Sequence, residues 1–372
     1  MSFSEIFCQD RAIDILQRAF AAGRWAHAYI FAGPEGVGKF KMAREWAKLL
    51  GCKEPVTESG FAESCGWCES CRLFEAGSSP DFSHVYKELL EFTADGKGKT
   101  TPVDLPIDVI REFLVEKVSA KPTVSPRKVF VVSEAERLNN SSQNCLLKVL
   151  EEPPKYCCIV LLCTRLERLL PTTRSRCQTI RFGPVDRQRI IEKLKEMDLG
   201  TDQARYFAAL AQGSLGTARR WAELELADAK LYETKNELVN SLAGCELADA
   251  LNLAERFVVE SKRIAGIWSG VEKNTSKTDV GRKATKTLIR MIILALHDAM
   301  MLNATATQKT AEYDQREQIE KLAARFDAEH AAEKIADCYR MLHWIESNVS
   351  EKLIFERLLL SLPDSDTMPV WR

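Results

Sequence analysis

The run Gly33-Pro-Glu-Gly-Val-Gly38-Lys39-Phe40 constrains this chain more than any other stretch. It follows Ala28–Ala32, an apolar run of strand type, and opens a helical pattern over Lys39–Leu50. Strand, glycine-rich turn and helix in that order make a phosphate-binding loop. The glycines let backbone N–H groups turn inward, and the helix N-terminus adds partial positive charge. Gly33, Gly36, Gly38 and Lys39 are therefore the candidate nucleotide-binding residues, with Lys39 offering a full charge to the β- and γ-phosphates.

Such a loop belongs to a parallel α/β sheet, and the first half of the chain reads that way. Residues 9–22 carry a helical stripe. Strands are expected near Phe82–Tyr86, at Lys128–Val132 and at Cys157–Thr164, the last two apolar enough to be buried on both faces. Ile107–Val118 and Ser141–Leu150 read as helices, the second stopped by Pro153-Pro154. Thr93–Asp104, rich in Gly, Lys and Thr, reads as a solvated loop. After Phe182 no further strand is expected. Asp186–Met197, Asp202–Gln212 and Leu215–Leu226 form three short helices, and the chain from about 228 is helical, with one loop at Lys273–Gly281.

The phosphate loop lacks what hydrolysis needs. A Ser or Thr after the lysine normally ligates Mg²⁺, and Phe40 cannot. The second protein ligand should be an Asp at the end of a later strand, followed by a catalytic Glu. Here Val129–Val132 runs into Ser133-Glu134, so the base position is kept and the metal ligand is lost. Two losses at separate places argue that hydrolysis has been abandoned. Nucleotide binding through Lys39 and the backbone stays open beside the alternative of an empty, vestigial site.

Of the twelve cysteines, Cys52, Cys65, Cys68 and Cys71 cluster, the last three at C-x₂-C-x₂-C spacing. Four thiolates suit tetrahedral Zn²⁺ in a closed structural site. His84 is an ordinary strand residue rather than a spare ligand. Cys157, Cys158 and Cys163 lie in the apolar strand and behave as small hydrophobes. A net charge of −1 excludes a general polyanion binder. The opening MSFSEIFCQD has neither the basic nor the apolar region of a signal peptide, which gives a cytoplasmic expectation. The apolar stretch Met291–Leu302 is interrupted by His297-Asp298 and reads as a buried helix too short to cross a bilayer.

Several stretches resemble one family. Asn144-Cys-Leu-Leu-Lys-Val-Leu-Glu-Glu-Pro-Pro154 is similar to the LLKxLEEPP segment of bacterial DNA polymerase III clamp-loader subunits, which are AAA+ proteins. Ala26-His-Ala-Tyr29 resembles their AHAYLF strand, Ser175-Arg176-Cys177 their Ser-Arg-Cys motif, and Asn348–Leu359 their last collar helix. The resemblance is strongest over 25–51 and 128–182. It implies an AAA+ α/β core at 1–182 with a zinc insertion at about 52–71, a helical lid at 183–227 and an all-α collar at 228–372.

The family's motor subunits keep the metal-binding Thr and Asp and carry a Gly-Ser-x-Arg sensor. This chain has Phe40, Ser133 and, in Gly213-Ser-Leu-Gly216, a glycine at the sensor position. The resemblance therefore implies a non-hydrolysing, stator-like subunit that helps load the β sliding clamp onto primed DNA. Its partners would be tau/gamma and delta subunits. Arg176 would act in trans as an arginine finger on a neighbour's ATP. An active tau/gamma-type motor and an isolated zinc-dependent nucleic-acid-binding protein are the competing readings.

Overall fold

A computed structural model describes residues 2–58, 60–94, 104–272, 275–304, 315–347 and 349–362. Most of the Gly, Lys and Thr loop, and Asn348 of the last helix motif, lie outside the described residues. The chain divides into two compact units. The first comprises Met1–Ile190 with Gly213–Thr217, and the second Ile191–Gln212 with Ala218–Arg372.

The first unit is built on a five-stranded parallel sheet. Its strands are β1 (Ala28–Ala32), β4 (Phe82–Val85), β5 (Lys128–Val132), β6 (Cys157–Cys163) and β7 (Gln178–Arg181), in the order β4-β5-β6-β1-β7. Every residue of β1, β5 and β6 is buried, as their unbroken apolar runs require of strands covered on both faces. Side chains alternate between two cores. Tyr29, Phe31, Val129, Val131, Val160 and Leu162 face one side, against Trp46 and Leu16. Ile30, Phe130, Val132, Ile159 and Leu161 face the other, against Leu114 and Leu146.

The helix Ile107–Val118 forms as expected, with one wider π turn at Arg111–Val115. The helix Asn140–Glu151 starts on Asn139, whose side chain accepts from Ser142 N at 2.8 Å, and ends before the two prolines. Asp81 is buried just ahead of β4. Burial pushes its carboxyl up, but the N–H groups of Ser125, Thr123 and Val124 outweigh that and hold it below the usual range. This ties the turn before β5 to the start of β4.

Several elements go beyond the sequence pattern, among them β7 and the parts of the cysteine insertion. β7 is an edge strand with only Ile180 buried, so no apolar run announces it. A small antiparallel hairpin, β2 (Val56–Glu58) and β3 (Phe61–Glu63), and the helix Glu69–Glu75 form the insertion around the cysteines.

The second unit is helical. The expected short helices appear as Arg187–Lys195, Thr201–Leu210 and Leu215–Leu224, the division of units falling within the first and the third. At its centre Lys277–Ala304 packs against Ala250–Val271, Arg316–Arg325 and Ala328–Glu346. The loop expected over Lys273–Gly281 is corrected here, because the helix already begins at Lys277. Ser276 Oγ accepts from Asp279 N, and Val280 is buried one turn in. This helix is long and apolar enough to cross a membrane by length and composition, so the expectation that it is too short fails. Its neighbours on several sides, and Thr287 accepting from the buried Trp221 Nε1 at 3.1 Å, make it a core helix.

Candidate functional site

The phosphate loop forms between β1 and the helix Lys39–Gly51, as the glycine pattern requires. Gly36 has φ +72°, which only glycine adopts without strain. Lys39 is buried and donates to Gly33 O and Pro34 O, each at 2.6 Å, so its ammonium is satisfied by the loop's own carbonyls. Burial pulls its pKa below the ordinary value, against the opposing carboxylates of Glu136 and Glu35.

The segment Gly213–Thr217 lies directly on this loop. Gly216 N donates to Gly36 O at 2.8 Å, and a Cβ at Gly216 would come within 2.9 Å of Gly36 Cα. A Cβ at Gly36 would in turn collide with Ser214 Oγ. The glycine at the sensor position thus does more than omit an arginine. It allows backbone to meet backbone where a longer residue would hold the segment away.

The metal corner is filled by other chemistry. Phe40 and Ser133, the two positions that should ligate Mg²⁺, are joined by His84 of β4. Its ring packs on Phe40 with centroids 4.5 Å apart and on Tyr86 at 4.8 Å, and its Nε2 is 2.8 Å from Ser133 Oγ. Burial, with a smaller push from Arg44, lowers the His84 pKa to about 4, so the ring is neutral at pH 7. Phe40 brings no ligand atom, and Ser133 brings in place of a carboxylate a hydroxyl already engaged by a neutral imidazole, a poor pair for a hard cation. Mg²⁺ does not fit here.

Glu134, in the base position, takes a left-handed backbone conformation and pairs with Arg137 at 2.9 Å and Lys87 at 3.7 Å. Glu136 accepts from Thr164 Oγ1 at 2.5 Å.

The four cysteines do converge. Cys52 follows the phosphate-loop helix, Cys65 follows β3, and Cys68 and Cys71 lie at and inside the start of the helix Glu69–Glu75. All four Sγ atoms lie within 4.8 Å of one another. Cys52 Sγ is 3.5 Å from Cys65 Sγ and 4.0 Å from Cys68 Sγ, and Cys65 to Cys71 is 4.0 Å. Four sulfurs at about 2.3 Å around zinc stand roughly 3.8 Å apart, so the cluster already has the dimensions of a zinc tetrahedron. Cys65 N and Cys68 N donate to Cys52 Sγ and Cys65 Sγ, each at 3.3 Å, bonds that favour thiolate. His84 takes no part in this cluster, as expected.

Arg176 stands just past the short helix Pro171–Arg174. That helix is placed by the buried Gln143, whose Oε1 accepts from Leu170 N at 2.8 Å and whose Nε2 donates to Leu138 O at 2.9 Å. The guanidinium is partly exposed. Its Nη1 donates to Thr172 O at 2.9 Å and its Nη2 to Glu151 Oε1 at 2.7 Å. Gln143, Glu151 and His84 were missed as site residues. Glu151 and Gln143 fall in or beside the segment that carries the family resemblance, but only the folded geometry joins them to Arg176.

The family described as DNA polymerase III, delta subunit, matches residues 8–186, and that described as DNA polymerase III, delta subunit, C terminal, matches residues 279–364. The delta′ subunit of DNA polymerase III from Bacillus subtilis is 26% identical, with 96% of each chain aligned. The tau subunit of Escherichia coli is 29% identical over 69% of this chain and only 38% of its own length. A solved DNA polymerase III gamma subunit-related protein from Thermotoga maritima aligns over 94% of this chain and 97% of its own, at 18% identity and a TM-score of 0.40. With one family match on the α/β unit and another on the helical unit, the chain belongs to the clamp-loader subunit family of bacterial DNA polymerase III.

Proposed function

We propose that the chain is a delta′-type, non-hydrolysing subunit of the clamp loader, acting as a stator in a ring with tau/gamma and delta subunits. The observation that carries the reading is the metal corner, where Phe40, His84 and Ser133 pack together in the place of two Mg²⁺ ligands. The backbone contact between Gly216 and Gly36 supports it, since it narrows the space beside a lysine already satisfied by carbonyls. What the subunit contributes to catalysis is Arg176, offered to the ATP of a neighbouring motor subunit. A guanidinium there neutralises charge developing on the γ-phosphate. The four cysteines hold a structural Zn²⁺.

In this division of labour, residues 1–182 are the AAA+ core with its zinc insertion, 183–227 the lid and 228–372 the oligomerising collar. The assembly works in the cytoplasm, loading the β clamp onto primed DNA. The test has two parts. The purified chain alone should show no ATP hydrolysis above background, and substantial turnover would revive the motor reading. In a reconstituted loader, Arg176→Ala should lower DNA-stimulated ATPase by about 10³-fold at the affected site. Unchanged turnover in a fully assembled complex would remove the finger role.

A further inference from the structure

We infer that Glu151 is a positioning residue for Arg176, orienting its guanidinium for use in trans; this rests on the finger role proposed above. The geometry is specific. Glu151 is the last residue of the helix Asn140–Glu151, and that helix is fixed to the Arg176 segment by Gln143, through Leu170 N and Thr173 Oγ1. Both the arginine and its carboxylate therefore hang from one braced substructure. Thr172 O takes one N–H from Nη1, and Glu151 Oε1 takes one from Nη2. A guanidinium has five N–H donors in a rigid plane, so two anchors on different nitrogens set its orientation and leave three donors for a partner.

The alternative role for the same ion pair is sequestration, with Glu151 holding Arg176 back from its target. Exposure decides between them. The side chains of Arg176 and Glu151 are 33% and 48% exposed. An ion pair so open to water is too weak to withhold a guanidinium from a triphosphate. It is strong enough to bias a long, flexible side chain toward one orientation before the partner arrives. Reducing the search of such a chain raises the rate of the assisted step and leaves ground-state nucleotide binding unchanged.

The experiment uses the reconstituted loader with Arg176→Ala, Glu151→Ala, Glu151→Gln and the double variant Glu151→Ala/Arg176→Ala. Assembly is checked by co-purification, and DNA-stimulated ATPase is resolved into kcat and KM. Glu151→Ala should lower kcat about 10-fold with KM for ATP unchanged. Glu151→Gln, which keeps an acceptor for Nη2, should recover most of the loss. In the Arg176→Ala background, Glu151→Ala should have no further effect, a non-additivity that a general structural role would not produce. Wild-type kcat in Glu151→Ala, beside a clear defect in Arg176→Ala, overturns the positioning role and spares the finger. Wild-type kcat in Arg176→Ala overturns both.

Discussion

Phe40 and Ser133 stand where a phosphate-loop motif would carry its metal ligands, and their neighbours complete the change. Removing a metal ligand leaves a polar gap, and a gap beside a phosphate loop would still admit water and a cation. His84 closes it, stacking on Phe40 and hydrogen bonding Ser133, and it is neutral because burial disfavours its charge. This has a pH signature with a definite sign. The folded pKa, about 4, lies below the ordinary value of about 6.5, so between these limits the unfolded chain holds a proton that the folded chain lacks. The contribution of His84 is full above pH 6.5, declines as pH falls toward 4, and is at most about 3 kcal/mol. Denaturant unfolding across that window should therefore give a smaller acid loss in His84→Gln than in the native chain. Equal slopes would show that His84 carries no such strain. Phe40, Ser133 and Gly216 were legible in the sequence because each departs from a motif of fixed spacing. His84 was not, because its link to Ser133 spans 49 positions and depends on β4 pairing with β5.

At the scale of elements, the cysteine insertion is the part least able to stand alone. Its hairpin has strands of three residues each, and its helix, Glu69–Glu75, has seven. Neither is stable in water by itself. Contacts to the rest of the unit hold them besides the thiolates, among them Ser70 Oγ to Ser125 Oγ at 2.7 Å and the ring of Phe74 on Phe82. Gln17 makes paired hydrogen bonds to the N–H and C=O of Ala62, each at 2.8 Å, and the buried Lys48 pairs with Glu75. Chelation should therefore loosen the insertion unevenly. Amide exchange should accelerate around Cys52, Cys65, Cys68 and Cys71, while Ala62 N–H stays protected by Gln17 and β5 and β6 are unaffected. Protein purified without added metal should carry about one zinc per chain, and less than about half an equivalent would remove the structural site. The cysteine cluster could be read from spacing, but its hairpin and helix could not, since contacts to residues distant in sequence hold elements that lack a core of their own. The start of Lys277–Ala304 was hidden for a related reason. Its first turns, Lys-Thr-Asp-Val-Gly-Arg-Lys, are polar in sequence, and only Ser276 and the burial of Val280 mark the helix.

For the molecule as a whole, the charge balance bears on how it assembles. With a net charge of −1 the chain has little long-range field to steer partners, so stable association must come from apolar surface. The helical unit offers such surface. Leu251 and Val259, 51% and 68% exposed, stand two turns apart on the helix Ala250–Val271. Leu353, 59% exposed, lies on Glu351–Ser361, which packs beside that helix and is tied to it by Lys352 and Glu255 at 2.9 Å. The same helices bury Leu253, Phe257, Ile264, Phe355 and Leu358 on their inner faces, so the outward residues are not needed to hold the unit together. In the proposed collar they are the residues a neighbouring subunit would cover. Burying one Leu and one Val contributes roughly 3–6 kcal/mol in total, so Leu251→Lys with Val259→Lys should weaken assembly with tau/gamma and delta at least 100-fold. The variant should keep the helical circular dichroism and thermal midpoint of the native chain, because the changes fall on exposed helix positions. Native-like affinity in a titrated co-purification would place the assembly surface elsewhere on the molecule.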